Sequence, residues 1–131
     1  MARIELVREV RFTPEEAWGR VTDWRRHGDF VPFTTVRATS AGMVGRTQIG
    51  PFGFDDTMDL TRWDPPHRCR LDKRGRLVSG WAEITVEAAG DGARVTWVED
   101  LDVAGVPGFL DPLTRPAARL MFGRLLDGLL A

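Results

Sequence analysis

The chain has 131 residues, 43% of them hydrophobic and 28% charged, with a formal net charge of -1. That is the balance of one globular domain, residues 1–131, long enough to bury about two thirds of its unfolded surface. It leaves no global field to draw in nucleic acid or anionic lipid, and a single cysteine, Cys69, excludes an intrachain disulfide and favours a reducing compartment.

The first twelve residues alternate polar and apolar side chains, which does not fit a signal peptide. Ile4, Leu6, Val10 and Phe12 fall on even positions, with Arg8 the exception, so the period predicts a half-buried strand. Thr13-Pro14-Glu15-Glu16 then reads as a helix start: a cap, a first-turn proline and the glutamate of a capping box. Asp23 reads as the cap of a second, short helix from Trp24 to about Phe30, stopped by Pro32; it puts His27 at a pocket entrance, either as a ligand-binding or basic residue or, the favoured reading, as a solvated surface histidine.

The middle of the chain reads as strands: Thr34 to Thr39, Val44 to Gly50, Phe54 to Trp63, Arg68 to Lys73, Leu77 to Glu87 and Arg94 to Val103. Turn chemistry separates them, most clearly Gly90-Asp91-Gly92, where a hairpin needs residues that tolerate positive φ. Arg68 to Arg76 holds five basic residues and reads as a solvated hairpin rim. Lys73, the only lysine, reads as a consequence of arginine-rich codon usage.

Leu113, Ala117, Leu120, Met121, Leu125 and Leu129 then repeat at helical spacing, predicting an amphipathic helix to the C-terminus. With Thr114 as cap and Pro116 in the first turn, its regular part should begin near Arg115. No apolar run is long enough to span a bilayer, so a cytoplasmic location is expected. One long helix cannot cover both faces of a seven-stranded antiparallel sheet, so the sheet must curl its concave face around it. The expected class is α+β.

This order of elements resembles the START-like (SRPBCC) superfamily. The residues that carry the likeness are Thr13-Pro14-Glu15-Glu16-Ala17-Trp18, Thr22-Asp23-Trp24 with Phe30-Val31-Pro32, Trp63-Asp64-Pro65-Pro66, and Gly92-Ala93-Arg94-Val95-Thr96-Trp97. They are similar to bacterial proteins of the polyketide cyclase/dehydrase group. The resemblance implies a helix-grip fold, as in birch-pollen-allergen-like proteins, with a small-molecule cavity between sheet and C-terminal helix. It implies no single reaction, because the fold hosts transport, sensing and catalysis.

Period two nominates the residues that face such a cavity. Trp97 and Glu99 fall inward on the last strand, Gly80 and Ala82 on the one before, Asp56 and Met58 on the strand from Phe54, and Cys69 on the next. Gly80 and Ala82 would leave volume that larger side chains would fill, unless the glycine marks a bulge. From the helices, Trp24, Phe30, Met121 and Leu125 are candidates for the mouth and roof. Asp56 and Glu99 are the candidate catalytic pair, because burial raises a carboxyl pKa toward values useful for proton transfer. Two isolated histidines and one cysteine offer no metal-ligand spacing, and no phosphate loop precedes a helix, so no cofactor is expected.

Three functions fit: a binder of a lipid, polyketide or other aromatic metabolite, a cyclase/dehydratase-type enzyme using the two carboxylates, or a ligand-free interaction module with a filled core. A monomer or homodimer is expected, with a hydrophobic small molecule rather than nucleic acid as partner.

Overall fold

A computed structural model describes residues 2–131. The chain runs β1 (Ala2–Val10), α1 (Pro14–Val21), α2 (Trp24–His27) with a 3-10 turn (Gly28–Phe30), then β2 (Thr34–Ala38), β3 (Gly42–Ile49) and β4 (Phe52–Asp64). β5 (Arg68–Arg74), β6 (Val78–Ala89), β7 (Gly92–Val103), a 3-10 turn (Gly108–Leu110) and α3 (Asp111–Leu129) complete it. Among the described residues the strands form one antiparallel sheet in the order β1-β7-β6-β5-β4-β3-β2. This is the helix-grip arrangement: every strand from β2 to β7 pairs with its chain neighbour, and β1 closes onto β7.

Local chemistry explains the helix starts. Thr13 Oγ1 accepts a hydrogen bond from the Glu16 backbone N–H at 3.2 Å, with Pro14 opening α1. Asp23 makes no side-chain cap, so α2 gets only one turn before tightening into the 3-10 turn. α3 begins at Asp111, four residues ahead of expectation. Pro112 sits in the first turn, where its missing N–H costs nothing, and Thr114 donates to the Leu110 carbonyl at 3.2 Å instead of capping. Pro116 therefore lies inside the helix, where it can donate nothing to the carbonyl one turn back. Pro116→Ala is expected to raise stability by about 2 kcal/mol, the propensity difference less the entropy a proline removes from the unfolded chain; an unchanged urea midpoint would show that this turn carries no such cost.

The main core lies at the β1–β7–β6 end. Leu6, Ile84, Val95, Leu126 and Leu129 are buried there under α1 and the C-terminal half of α3. The inward stripe of α3 is Ala118, Phe122, Leu125, Leu126 and Leu129. Leu113 and Leu120, which share the helical spacing, face solvent at 72% and 57% exposure. Two apolar stripes run along this helix, and only the second meets the sheet. A smaller cluster, Met43, Leu71 and Ala82, lies on the concave face nearer β3. Between that cluster and α3 the molecule is not filled.

Candidate functional site

The unfilled space is a cavity of about 440 Å³ on the concave face. Strand after strand, its wall follows period two: Met43, Gly45 and Thr47 on β3, then Phe54, Asp56 and Met58 on β4. Leu71 and Lys73 follow on β5, Ala82 on β6, and Trp97, Glu99 and Leu101 on β7. Met121, Phe122 and Leu125 close it from α3, and His27, Val31 and Pro32 from the segment after α1. A bulge between Leu60 and Arg62 ends this parity on β4, so that odd-numbered Trp63 pairs with Cys69.

The lining is mostly apolar, with His27, Thr34 and Thr47 as isolated polar residues and one charged cluster. Lys73, 8% exposed, reaches Asp56 Oδ2 at 3.1 Å and stands 3.9 Å from Glu99 Oε1. Lys73 is on β5 and Glu99 on β7, with β6 between them. They meet because the β6 residues opposite Lys73 and Glu99 are Gly80 and Ala82. Burial pushes the Glu99 carboxyl up to about 7, with Asp56 adding to the rise and the Lys73 ammonium and Trp97 indole opposing it. The two carboxylates hold Lys73 above its ordinary value despite burial, so it is an ammonium and not a nucleophilic amine. Asp56 Oδ1 is buried with no hydrogen-bond partner in the structure, and the buried Trp97 indole N–H is directed at the Glu99 carboxyl.

His27 lines the cavity at 6% exposure, not in solvent as expected. Burial lowers its pKa to about 4, so the ring is neutral at pH 7. Its Nε2 lies 2.9 Å from the Val21 carbonyl, which can only accept, so Nε2 carries the hydrogen and Nδ1 is left as an acceptor. The ring stands 5.7 Å from Trp97 and 5.2 Å from Trp24, centroid to centroid.

Of the nominated residues, Asp56, Met58, Ala82, Trp97, Glu99, Met121 and Leu125 line this cavity. Trp24, Phe30, Cys69 and Gly80 do not. Trp24 and Phe30 pack against the core from outside it. Cys69 is fully buried in that core, and burial pushes its thiol up to about 12, which removes it as a nucleophile. Gly80 serves the backbone: its φ is 125°, and an added Cβ would lie 1.8 Å from the Asp100 carbonyl oxygen. The residue that does open the cavity is Gly45, whose added Cβ would meet nothing closer than 3.9 Å.

Sequence reasoning passed over Lys73 and Gly45, and weighed a pocket role for His27 but favoured a solvated one. The signal for Lys73 was available, because it continues the inward parity of Cys69 and Leu71. The arginines of β5 face the other way: Arg68 and Arg70 bind Glu83 at 2.8 and 3.1 Å, and Arg74 pairs with Asp59. Among the described residues no three His, Cys, Asp or Glu side chains are grouped to hold a metal ion, and no helix is long and apolar enough to cross a membrane.

Comparison with known proteins agrees with this architecture. No match is found among curated proteins. Among solved structures the chain is similar to a conserved protein from Geobacillus kaustophilus, at 16% identity and a TM-score of 0.78, covering 98% of this chain and 92% of that one. It is similar to a START superfamily protein from Mycobacterium smegmatis, at 13% identity and a TM-score of 0.76, covering 98% and 94%. It also matches the protein XoxI from Bacillus cereus, at 17% identity and a TM-score of 0.73, covering 99% and 94%. At these identities the likeness is one of fold. The family model described as polyketide cyclase / dehydrase and lipid transport matches residues 1–131, and this chain belongs to that family.

Proposed function

We propose that this protein binds a hydrophobic small molecule, a lipid, polyketide or other aromatic metabolite, in the cavity between the sheet and α3. The observation that carries the reading is the cavity itself: about 440 Å³, walled by alternate residues of six strands, mostly apolar, with one charged cluster. An interaction module would fill that space. Exposed Phe33, Phe52, Phe109 and Leu113 match what such a module predicts on its surface, but its filled core is missing. The same reading keeps the protein in the cytoplasm, without nucleic-acid partners, as a monomer or homodimer. Its one cysteine is a free thiol, and the arginines of β5 are already paired with carboxylates.

Native mass spectrometry of freshly purified protein should show a bound small molecule, or titration with fatty alcohols and polycyclic aromatics should quench tryptophan fluorescence saturably. Gly45→Phe should weaken that binding at least about tenfold, by filling the volume a ligand needs, while leaving the melting temperature near wild type. Equal affinity in Gly45→Phe would place the ligand elsewhere and end this reading.

A second reading, acid–base catalysis on the bound molecule, has its own support in the Asp56–Lys73–Glu99 cluster. A Glu99 carboxyl near neutrality could give a proton to an oxygen while Asp56 takes one from carbon. Asp56→Asn and Glu99→Gln should then abolish turnover and spare binding; unchanged turnover would remove the carboxylates from the chemistry.

A further inference from the structure

A lysine in an apolar cavity suggests a site for an acid, and the surroundings of Lys73 argue the reverse. The ammonium charge is already matched by Asp56 at 3.1 Å and faced by Glu99 at 3.9 Å. A ligand carboxylate would enter as a third acid beside one cation. Glu99 reports what that environment does to an acid: in the same place it is held well above its ordinary pKa.

The ammonium still has hydrogens to give. Asp56 takes one, and Glu99 Oε1 lies beyond hydrogen-bond reach. The Phe122 ring, 5.6 Å from Nζ, covers another side. At least one N–H is therefore left without an oxygen acceptor on a wall of the cavity.

We propose that the cavity selects a neutral molecule, apolar over most of its length, that carries one hydrogen-bond-accepting oxygen such as a ketone, ester or alcohol. Lys73 takes that oxygen, and the cluster of Asp56 and Glu99 around Lys73 turns carboxylates away. This rests on the ligand-binding reading above and names the ligand's charge class.

Three probes of one size test it: decane, decan-2-one and decanoate, titrated at pH 8 against tryptophan fluorescence and calorimetry. Decan-2-one should bind about tenfold or more tighter than decane, the margin a hydrogen bond to a charged donor supplies, and decanoate should bind weakest. Lys73→Met alone would strand two buried carboxyls, so the variant is Lys73→Met with Asp56→Asn. In it the ketone should lose its advantage over decane while decane affinity holds. Should that protein fail to fold, the wild-type ranking decides alone. Decanoate binding best, or ketone and decane binding equally, overturns this proposal and leaves the cavity reading intact. Failure of all three probes to bind counts against the cavity reading and takes the proposal with it.

Discussion

Gly80→Ala is expected to destabilise the protein by more than about 4 kcal/mol, at the exceptional end for a single methyl group. The backbone there has φ 125°, a region that side-chain-bearing residues rarely enter. The added carbon would lie 1.8 Å from the Asp100 carbonyl oxygen and 2.9 Å from its carbon. Those atoms belong to β7, the immediate neighbour in an unbroken ladder from Val78↔Val103 to Ala89↔Gly92. Relief would need β6 and β7 to part beside Ala82↔Glu99, the pair over which Lys73 reaches. Gly45→Ala is the control, since its Cβ makes only ordinary contacts at 3.9 Å; it should change stability by less than about 1 kcal/mol. Urea denaturation of both proteins reads the contrast. Equal midpoints would mean that the close approach at Gly80 is not a feature of the folded chain.

That position also shows where sequence reading stops. A small residue on an inward parity is compatible with hollow space and with a crowded backbone, and only the third dimension separates the two. Period two was enough for the strands, and capping chemistry for the start of α1, because both act over a few neighbouring residues. Asp56 and Glu99 could be placed on the concave face by the same counting. The lysine between them was masked by composition, sitting in a run of arginines that face the convex side. His27 belongs to a four-residue helix, too short for any period to assign it a face. In α3 the apolar residues are too many: Leu113, Ala117 and Leu120 form one stripe, and Ala118, Phe122, Leu125 and Leu129 another. Which stripe meets the sheet depends on how the helix rolls against β1, a contact between the two ends of the chain.

The two titrating residues of the cavity should bend the stability curve in opposite directions. His27 has a folded pKa of about 4 against an ordinary 6.5. Between those values the unfolded chain binds a proton that the native protein refuses, so stability falls as pH drops from 6.5 to 4. Glu99 has a folded pKa of about 7 against an ordinary 4.5. Here the native protein keeps a proton that the unfolded chain releases, so stability falls as pH rises from 4.5 to 7. Each effect, taken over its whole window, is worth about 3 kcal/mol. In the wild type they offset each other between pH 4.5 and 6.5, and the curve should be nearly flat there. Asp72 and Glu83 have carboxyls held below their ordinary values, so they are lost only in more acid solution. Asp23 and Lys73 act on His27, and Lys73 and Asp56 on Glu99, without reversing either shift. His27→Asn should therefore gain stability as pH falls through 7, and Glu99→Gln should lose it as pH falls through 6.5. Urea midpoints at half-unit pH steps separate the two variants. Curves that run parallel to the wild type would mean that water reaches both groups, and the dry polar cluster at the base of the cavity would have to be abandoned.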